Sequence, residues 1–238
     1  YLTLSTHESK HTSSSHINRF YTTYDQICKR NFDGMIITGA PVEHMEFEEV
    51  QYWPEIEMIM EWTKTHVTST LYVCWGALAG IYYHFGIQKI QLEKKLSGVY
   101  THRVLDRCES LVRGFDDIFT APHSRYSGVR REEIVNHPEL QLLAESEEAG
   151  VYLIKSLDER HVFLFGHPEY DRMSLDAEYR RDIAKGISIA PPEHYYENDD
   201  PEMTPILTWR AHANTLYTNW LNYYVYQVTP YDMVETPV

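Results

Sequence analysis

Apolar and polar positions along this chain alternate between two periods, and the switches mark its elements. "DGMIITGAP" (33–41) is an apolar run closed by Gly-Ala-Pro, which predicts a buried strand ending in a turn. "WPEIEMIMEWTKT" (53–65) reads as a helix with Pro54 in its first turn, where a missing N–H costs nothing. "STLYV" (69–73) is the next strand, and "WGALAGIYYHF" (75–85) is rich enough in Ala and Leu to start a helix. "ESLVR", "DDIFTAP", "LQLLAES", "GVYLIKS" and "HVFLFGHPEY" follow as short β-rich runs, and "SLDAEYRRDIAKGI" returns to helix. Near the end, Trp209, Ala213, Leu216, Trp220 and Tyr224 fall three and four apart and build one apolar helical face.

Strand–helix alternation in the first half predicts βαβ units and a mainly parallel central sheet. The later cluster of short strands predicts an antiparallel extension. Residues 190–206, with four prolines and an acidic run, read as a loop before the last helix. With 238 residues the expectation is one α/β domain spanning 1–238.

Composition narrows the function. A formal charge of −14 opposes a polyanionic partner, because affinity for nucleic acid rests on Lys and Arg neutralising phosphates. No stretch approaches the ~18 consecutive apolar residues of a membrane span. Three cysteines, Cys28, Cys74 and Cys108, form no CxxC pair and suit a reducing compartment, so a soluble cytoplasmic protein is expected. The histidines, including His7 and His11 four apart in a Ser-rich stretch, form no convincing metal-ligand spacing, and no metal is expected.

Cys74 ends the strand "TSTLYV" and is followed at once by a helix. That is the layout of a nucleophile elbow, which lifts a side chain above a sheet edge and places the thiol near a helix N-terminus favouring the thiolate. Gly76 lets such a turn close, whereas Tyr72 occupies the place where the elbow pattern prefers Gly. Taken alone, Cys74 reads equally as a small buried hydrophobe. In "FLFGHPEY", Pro168 biases His167 towards extended backbone, which turns His167 and Glu169 to one side. A carboxylate so placed can hold the imidazole in the tautomer that takes a proton from a nucleophile. A hydrogen-bonded structural turn is the competing reading.

Seven segments together, "GMIITGAPVE", "TSTLYVCWGALAG", "KKLSGVY", "LVRGFDD", "APHSRY", "FGHPEYD" and "NWLNYYVYQVTPY", resemble in order and spacing the homoserine O-acyltransferases, also called homoserine trans-succinylases. The resemblance implies a class I glutamine amidotransferase-like fold, a flavodoxin-like three-layer sandwich, with a Cys-His-Glu triad turned to acyl transfer. It implies Cys74 as the nucleophile that carries the acyl group, His167 as the base and Glu169 as its orienting carboxylate. It places Lys95, Ser124 and Arg181 against the substrates, consistent with Arg clamping a carboxylate bidentately and Lys acting as a point charge. Backbone amides near Val42 and Trp75 are the expected oxyanion hole, since both follow strand ends facing the site and Pro41 has no N–H to give.

In the family that this chain resembles, succinyl-using members carry Gly at the place of Glu43 and many acetyl-using ones carry Glu. A carboxylate there crowds and repels the distal carboxylate of succinyl-CoA, so the expected co-substrate is acetyl-CoA, with no bound cofactor. The implied reaction makes O-acetyl-L-homoserine in a ping-pong sequence, with L-serine as the alternative acceptor, one methylene shorter. A triad amidase or glutamine amidotransferase is the reading from another reaction class, and a non-catalytic binding module the last. A homodimer is implied. Family members usually carry a further segment before the point where this chain begins, so an N-terminal piece is expected to be missing here.

Overall fold

In the computed structural model, residues 1–6 and 20–230 are described, and His7 and His11 lie outside them. Seven strands form one sheet: β1 (Phe32–Ile37), β2 (Val67–Val73), β3 (Ile90–Val104), β4 (Ile118–Gly128), β5 (Leu140–Ser146), β6 (Gly150–Ser156) and β7 (His161–Leu164). Their spatial order is β1-β2-β7-β6-β5-β3-β4. β1, β2 and β7 run parallel, and every pairing from β7 outward through β6, β5, β3 and β4 is antiparallel. The expected parallel centre and antiparallel extension are both present, the extension being the larger part.

The helices are α1 (Tyr24–Ile27), α2 (Trp53–His66), α3 (Trp75–Phe85), α4 (Arg131–Val135), α5 (Ser174–Ala184) and α6 (Arg210–Asn219), the last continuing as a π-helix over Trp220–Tyr226. Pro54 sits in the first turn of α2, as its sequence predicts. α3 ends at Gly86, whose φ of +70° gives the left-handed cap that other residues adopt at a cost.

Strand alternation divides the core into two faces. Tyr72, Ile154 and Phe163 point into one cluster with Trp53, Ile56 and Met60 of α2 and Ala77, Leu78 and Ile81 of α3. Leu71, Val73, Leu153, Val162 and Leu164 point the other way, against Leu216, Trp220, Tyr224 and Val225. This is the three-layer sandwich, and its central strands carry the apolar runs 71–73, 151–154 and 162–164 because both faces are covered. The predicted face Trp209, Ala213, Leu216, Trp220 and Tyr224 is buried throughout.

Two segments depart from the hydrophobic pattern. "ESLVR" is not a strand: Ser110–Val112 forms a 3-10 turn whose Leu111 N–H is capped by the Glu109 carboxylate. β3 is a 15-residue strand whose first half, "IQLEKK", is too polar to announce itself, and it shifts register against β4 between Gln91 and Leu96. The 190–206 loop carries a 3-10 turn at Glu197–Asp199.

Candidate active site

At the carboxyl ends of β1 and β2 the chain makes the elbow that the sequence predicts. Cys74 leaves β2 with φ 55° and ψ −118°, a conformation that a side chain adopts only under constraint. Its N–H donates to the Leu164 carbonyl at 2.8 Å, and its own carbonyl accepts the Ala77 N–H at 2.9 Å, so sheet and helix hold the residue from both sides. Gly76 is required by proximity: a Cβ there would stand 2.4 Å from the Ile37 carbonyl oxygen. Gly39, at the end of β1, faces Cys74 so closely that a Cβ would lie 3.2 Å from that of the cysteine.

His167 follows β7 in a turn whose position is fixed by a bond from its N–H to the Pro122 carbonyl, 2.8 Å. Its Nδ1 meets Glu169 Oε1 at 2.7 Å, which leaves Nε2 for the thiol. Burial works against the imidazolium, but hydrogen bonds and charge from Cys74 and Glu169 outweigh it and hold His167 well above the usual imidazole range. His167 is thereby held between the cysteine and the carboxylate, the order a nucleophile, its base and an orienting group require.

Cys74, His167, Glu169, Glu43, Lys95, Ser124 and Arg181 line one cavity of about 580 Å³. Seven side chains drawn from separate parts of the sequence thus converge. Lys95 Nζ lies 3.1 Å from Asp182 Oδ2 and 3.5 Å from Glu178 Oε2. Arg181 Nη2 lies 2.8 Å from Asp182 Oδ1. Ser124 Oγ donates to Glu178 Oε2, and Tyr170 donates to Glu178 Oε1 at 2.5 Å. Two cations and two carboxylates alternating across a cleft suit a ligand that carries both charges.

Glu43 is buried, and its Oε2 accepts the Tyr126 N–H at 2.5 Å and the Ser127 N–H at 3.0 Å. Burial raises its pKa, partly offset by the Tyr126 amide, the charge of Arg125 and the Ser127 amide. The carboxylate is thereby fixed in the wall of the cavity that holds Cys74.

Of the two amides expected to form an oxyanion hole, Trp75 N–H opens α3 and has no acceptor within its own helix. Val42 N–H is already donated to the Ala40 carbonyl at 2.9 Å. Val42 and Trp75 line a neighbouring apolar cavity of about 570 Å³, separated from the first by residues 38–41, which border both. Serving an oxyanion would require Val42 to give up its present bond.

Tyr170, Glu178 and Asp182 were not singled out by their sequence context. Glu178 and Asp182 stand four apart on α5 with Arg181 between them, a one-face spacing that could have drawn attention. Tyr170 carried no such signal. Among the described residues, no group of three His, Cys, Asp or Glu is placed to hold a metal ion.

A sequence profile of the homoserine O-succinyltransferase family matches residues 1–231. A homoserine O-acetyltransferase of Lachnospira eligens is 58% identical over 236 residues, covering 99% of this chain and 76% of that protein. One of Lachnoclostridium phytofermentans is 59% identical over 233 residues, covering 98% and 77%. One of Bacteroides thetaiotaomicron is 53% identical over 233 residues, covering 98% and 76%. Among solved structures, a glutamine amidotransferase of Thermotoga maritima superposes with a TM-score of 0.53 at 14% identity, covering 77% of this chain and 72% of that one. A glutamine amidotransferase of Methylobacillus flagellatus gives 0.56 at 14% identity, covering 80% and 76%. At that identity the likeness is one of fold.

Proposed function

The chain belongs to the homoserine O-succinyltransferase family, and from that premise we propose that it moves an acetyl group from acetyl-CoA to the hydroxyl of L-homoserine through a thioester on Cys74. The Cys74 thiolate attacks the acetyl carbonyl carbon, the bond from that carbon to the CoA sulfur breaks, and the departing thiolate takes the His167 proton. Neutral His167 then accepts the proton of the homoserine hydroxyl as its oxygen attacks the thioester. Cys74 leaves as thiolate beside the His167 that has taken the proton. Trp75 N–H is the donor best placed for the oxyanion of each tetrahedral intermediate.

Glu43 carries the choice of acetyl over succinyl. Its carboxylate is held by two backbone amides in the wall of the reaction cavity. A succinyl chain would bring a second carboxylate to that wall, and like charges in a low-dielectric cleft are costly. Lys95, Arg181 and Glu178 offer the charges that a zwitterionic amino acid requires. The fold is shared with glutamine amidotransferases, but the close relatives are named for acetyl transfer, which favours that chemistry over amide hydrolysis. A homodimer acting in the cytoplasm completes the reading.

The test measures CoA thiol release from acetyl-CoA and succinyl-CoA, with L-homoserine and L-serine as acceptors. Fast release from acetyl-CoA with homoserine is expected, with the mass of one acetyl group on Cys74 when acceptor is withheld. Cys74→Ser is expected to stay folded and lose turnover. Wild-type turnover in that variant, or label on another residue, would overturn the role given to the thiol.

A further inference from the structure

Tyr170 touches both halves of the cavity. Its ring lies nearly parallel to the His167 imidazole, with centroids 4.3 Å apart and planes 19° apart. Its hydroxyl donates to Glu178 Oε1 at 2.5 Å. The other Glu178 oxygen accepts Ser124 Oγ and faces Lys95 Nζ at 3.5 Å. The Tyr170 backbone is tied at both ends: its N–H donates to the His167 carbonyl at 3.1 Å, and its carbonyl accepts Trp209 Nε1 at 2.9 Å. One rigid side chain therefore presses its face on the base and directs its hydroxyl at the carboxylate around which Ser124 and Lys95 gather.

We propose that Tyr170 is a positioning residue that couples the two half-reactions, its ring fixing the plane of His167 and its hydroxyl fixing Glu178 for the ammonium of the amino-acid acceptor. The inference rests on the acyl-transfer reading and deepens it. Before acylation His167 is held from two sides, by Cys74 and by Glu169. Once Cys74 carries the acetyl group its sulfur is neutral and esterified, and that hold is gone. Glu169 on Nδ1 and the Tyr170 ring on the imidazole face are then what keep Nε2 aimed at the incoming hydroxyl. The ring face also favours the charged imidazole that forms as the acceptor hydroxyl gives up its proton. Burial, then the charge and hydrogen bond of Glu178, push the Tyr170 phenol far above its ordinary pKa, so it remains a donor.

Two variants separate ring from hydroxyl. Tyr170→Phe keeps the ring: the CoA burst from acetyl-CoA without acceptor should keep the wild-type rate, while the KM for homoserine rises about tenfold, the scale of one lost hydrogen bond to a charged group. Tyr170→Leu removes the ring: the pH midpoint for alkylation of Cys74 by iodoacetamide should rise by about one unit, the scale of a lost cation–π contact, while Tyr170→Phe leaves it in place. An unchanged KM in Tyr170→Phe, or equal losses in burst and acceptor step, would overturn the role of the hydroxyl. A wild-type alkylation profile in Tyr170→Leu would overturn that of the ring. If the wild-type protein releases no CoA from acetyl-CoA, the acyl-transfer reading fails, and the alkylation arm still decides whether Tyr170 holds His167.

Discussion

Glu43 is the residue whose removal should change the chemistry most selectively. Its carboxylate occupies two amides, Tyr126 N–H and Ser127 N–H, in a wall that also feels the charge of buried Arg125. Glu43→Gly would vacate those donors and leave a pocket lined for an anion. The expected outcome is a gain of succinyl-CoA turnover with loss of acetyl-CoA preference, read as the ratio of kcat/KM for the two donors. An unchanged ratio would mean that the wall does not meet the acyl chain. At this scale the sequence was most informative where the chemistry is local. His167 and Glu169 are two apart, and their bond closes within a turn, Pro168 and Glu169 at its corner and the Tyr170 N–H on the His167 carbonyl, instead of along the extended backbone that Pro168 suggested. The convergence of Lys95 from β3, Ser124 from β4 and Arg181 from α5 could be anticipated only through resemblance, since nothing in a lone Lys or Arg distinguishes a lined cleft from a solvated face. Tyr170 was illegible for the same reason: its partner Glu178 lies one helix away, and a tyrosine beside a histidine is ordinary in any chain.

Among the elements, the elbow and the π-helix make opposite demands on the residues that join them. The elbow needs absence of bulk. Gly76→Ala would drive a Cβ to 2.4 Å from the Ile37 carbonyl and 2.9 Å from that of Thr38, backbone atoms that move only if β1 or Cys74 moves. A loss of about 1 to 3 kcal/mol, the range for overpacking, is expected by urea denaturation, with slower alkylation of Cys74. The π-helix needs a charge kept in place. Lys155 on β6 lies 2.6 Å from Glu109, and Tyr224 of the π-helix donates to the same carboxylate at 2.5 Å. Burial raises the Glu109 pKa, but bonds from Lys155 and Tyr224 outweigh it and hold the group down at about 2. Lys155→Met leaves that carboxylate without its cation and should cost about 3 to 5 kcal/mol, whereas Lys155→Met with Glu109→Leu should cost less than the single change. Equal stability of the single and double variants would show that the pair is not coupled. The elements with apolar periodicity, α2, β2, α3 and α6, were readable because burial sets their period. β3 was not, because its polar first half draws order from pairing with β4 instead of from a buried face.

For the molecule as a whole, the parallel strands that carry the site and the antiparallel extension that supplies Ser124 and the residues around His123 share one sheet, and histidines cluster against both parts, His102, His123 and His161 buried and His84 half-buried. His84 and His161 stack with ring centroids 4.1 Å apart, and the Nε2 atoms of His102 and His123 lie 2.9 Å apart. Burial pushes all four imidazoles down: to about 4 for His161, about 3 for His102, about 2 for His84, and well below the ordinary value for His123. Above about pH 6.5 these groups are neutral in both folded and unfolded chains and leave stability unchanged. As pH falls below that value the unfolded chain binds protons that the folded chain refuses, so stability declines from about 6.5 down towards the folded values. His167 does not add to this decline, because its raised pKa leaves it protonated in both states at such pH. Each imidazole contributes up to about 1.4 kcal/mol per pH unit once the unfolded chain is fully protonated. Relief of self-repulsion in a chain of formal charge −14 acts the other way, but salt screens it and leaves the proton uptake in place. Urea midpoints measured in high salt at pH 7 and pH 5 should therefore fall steeply on the acid side, and restoring part of the loss with His84→Gln would assign it to the stacked His84–His161 pair. A midpoint that holds from pH 7 to pH 5 would show that these imidazoles accept protons without unfolding the layers packed around them.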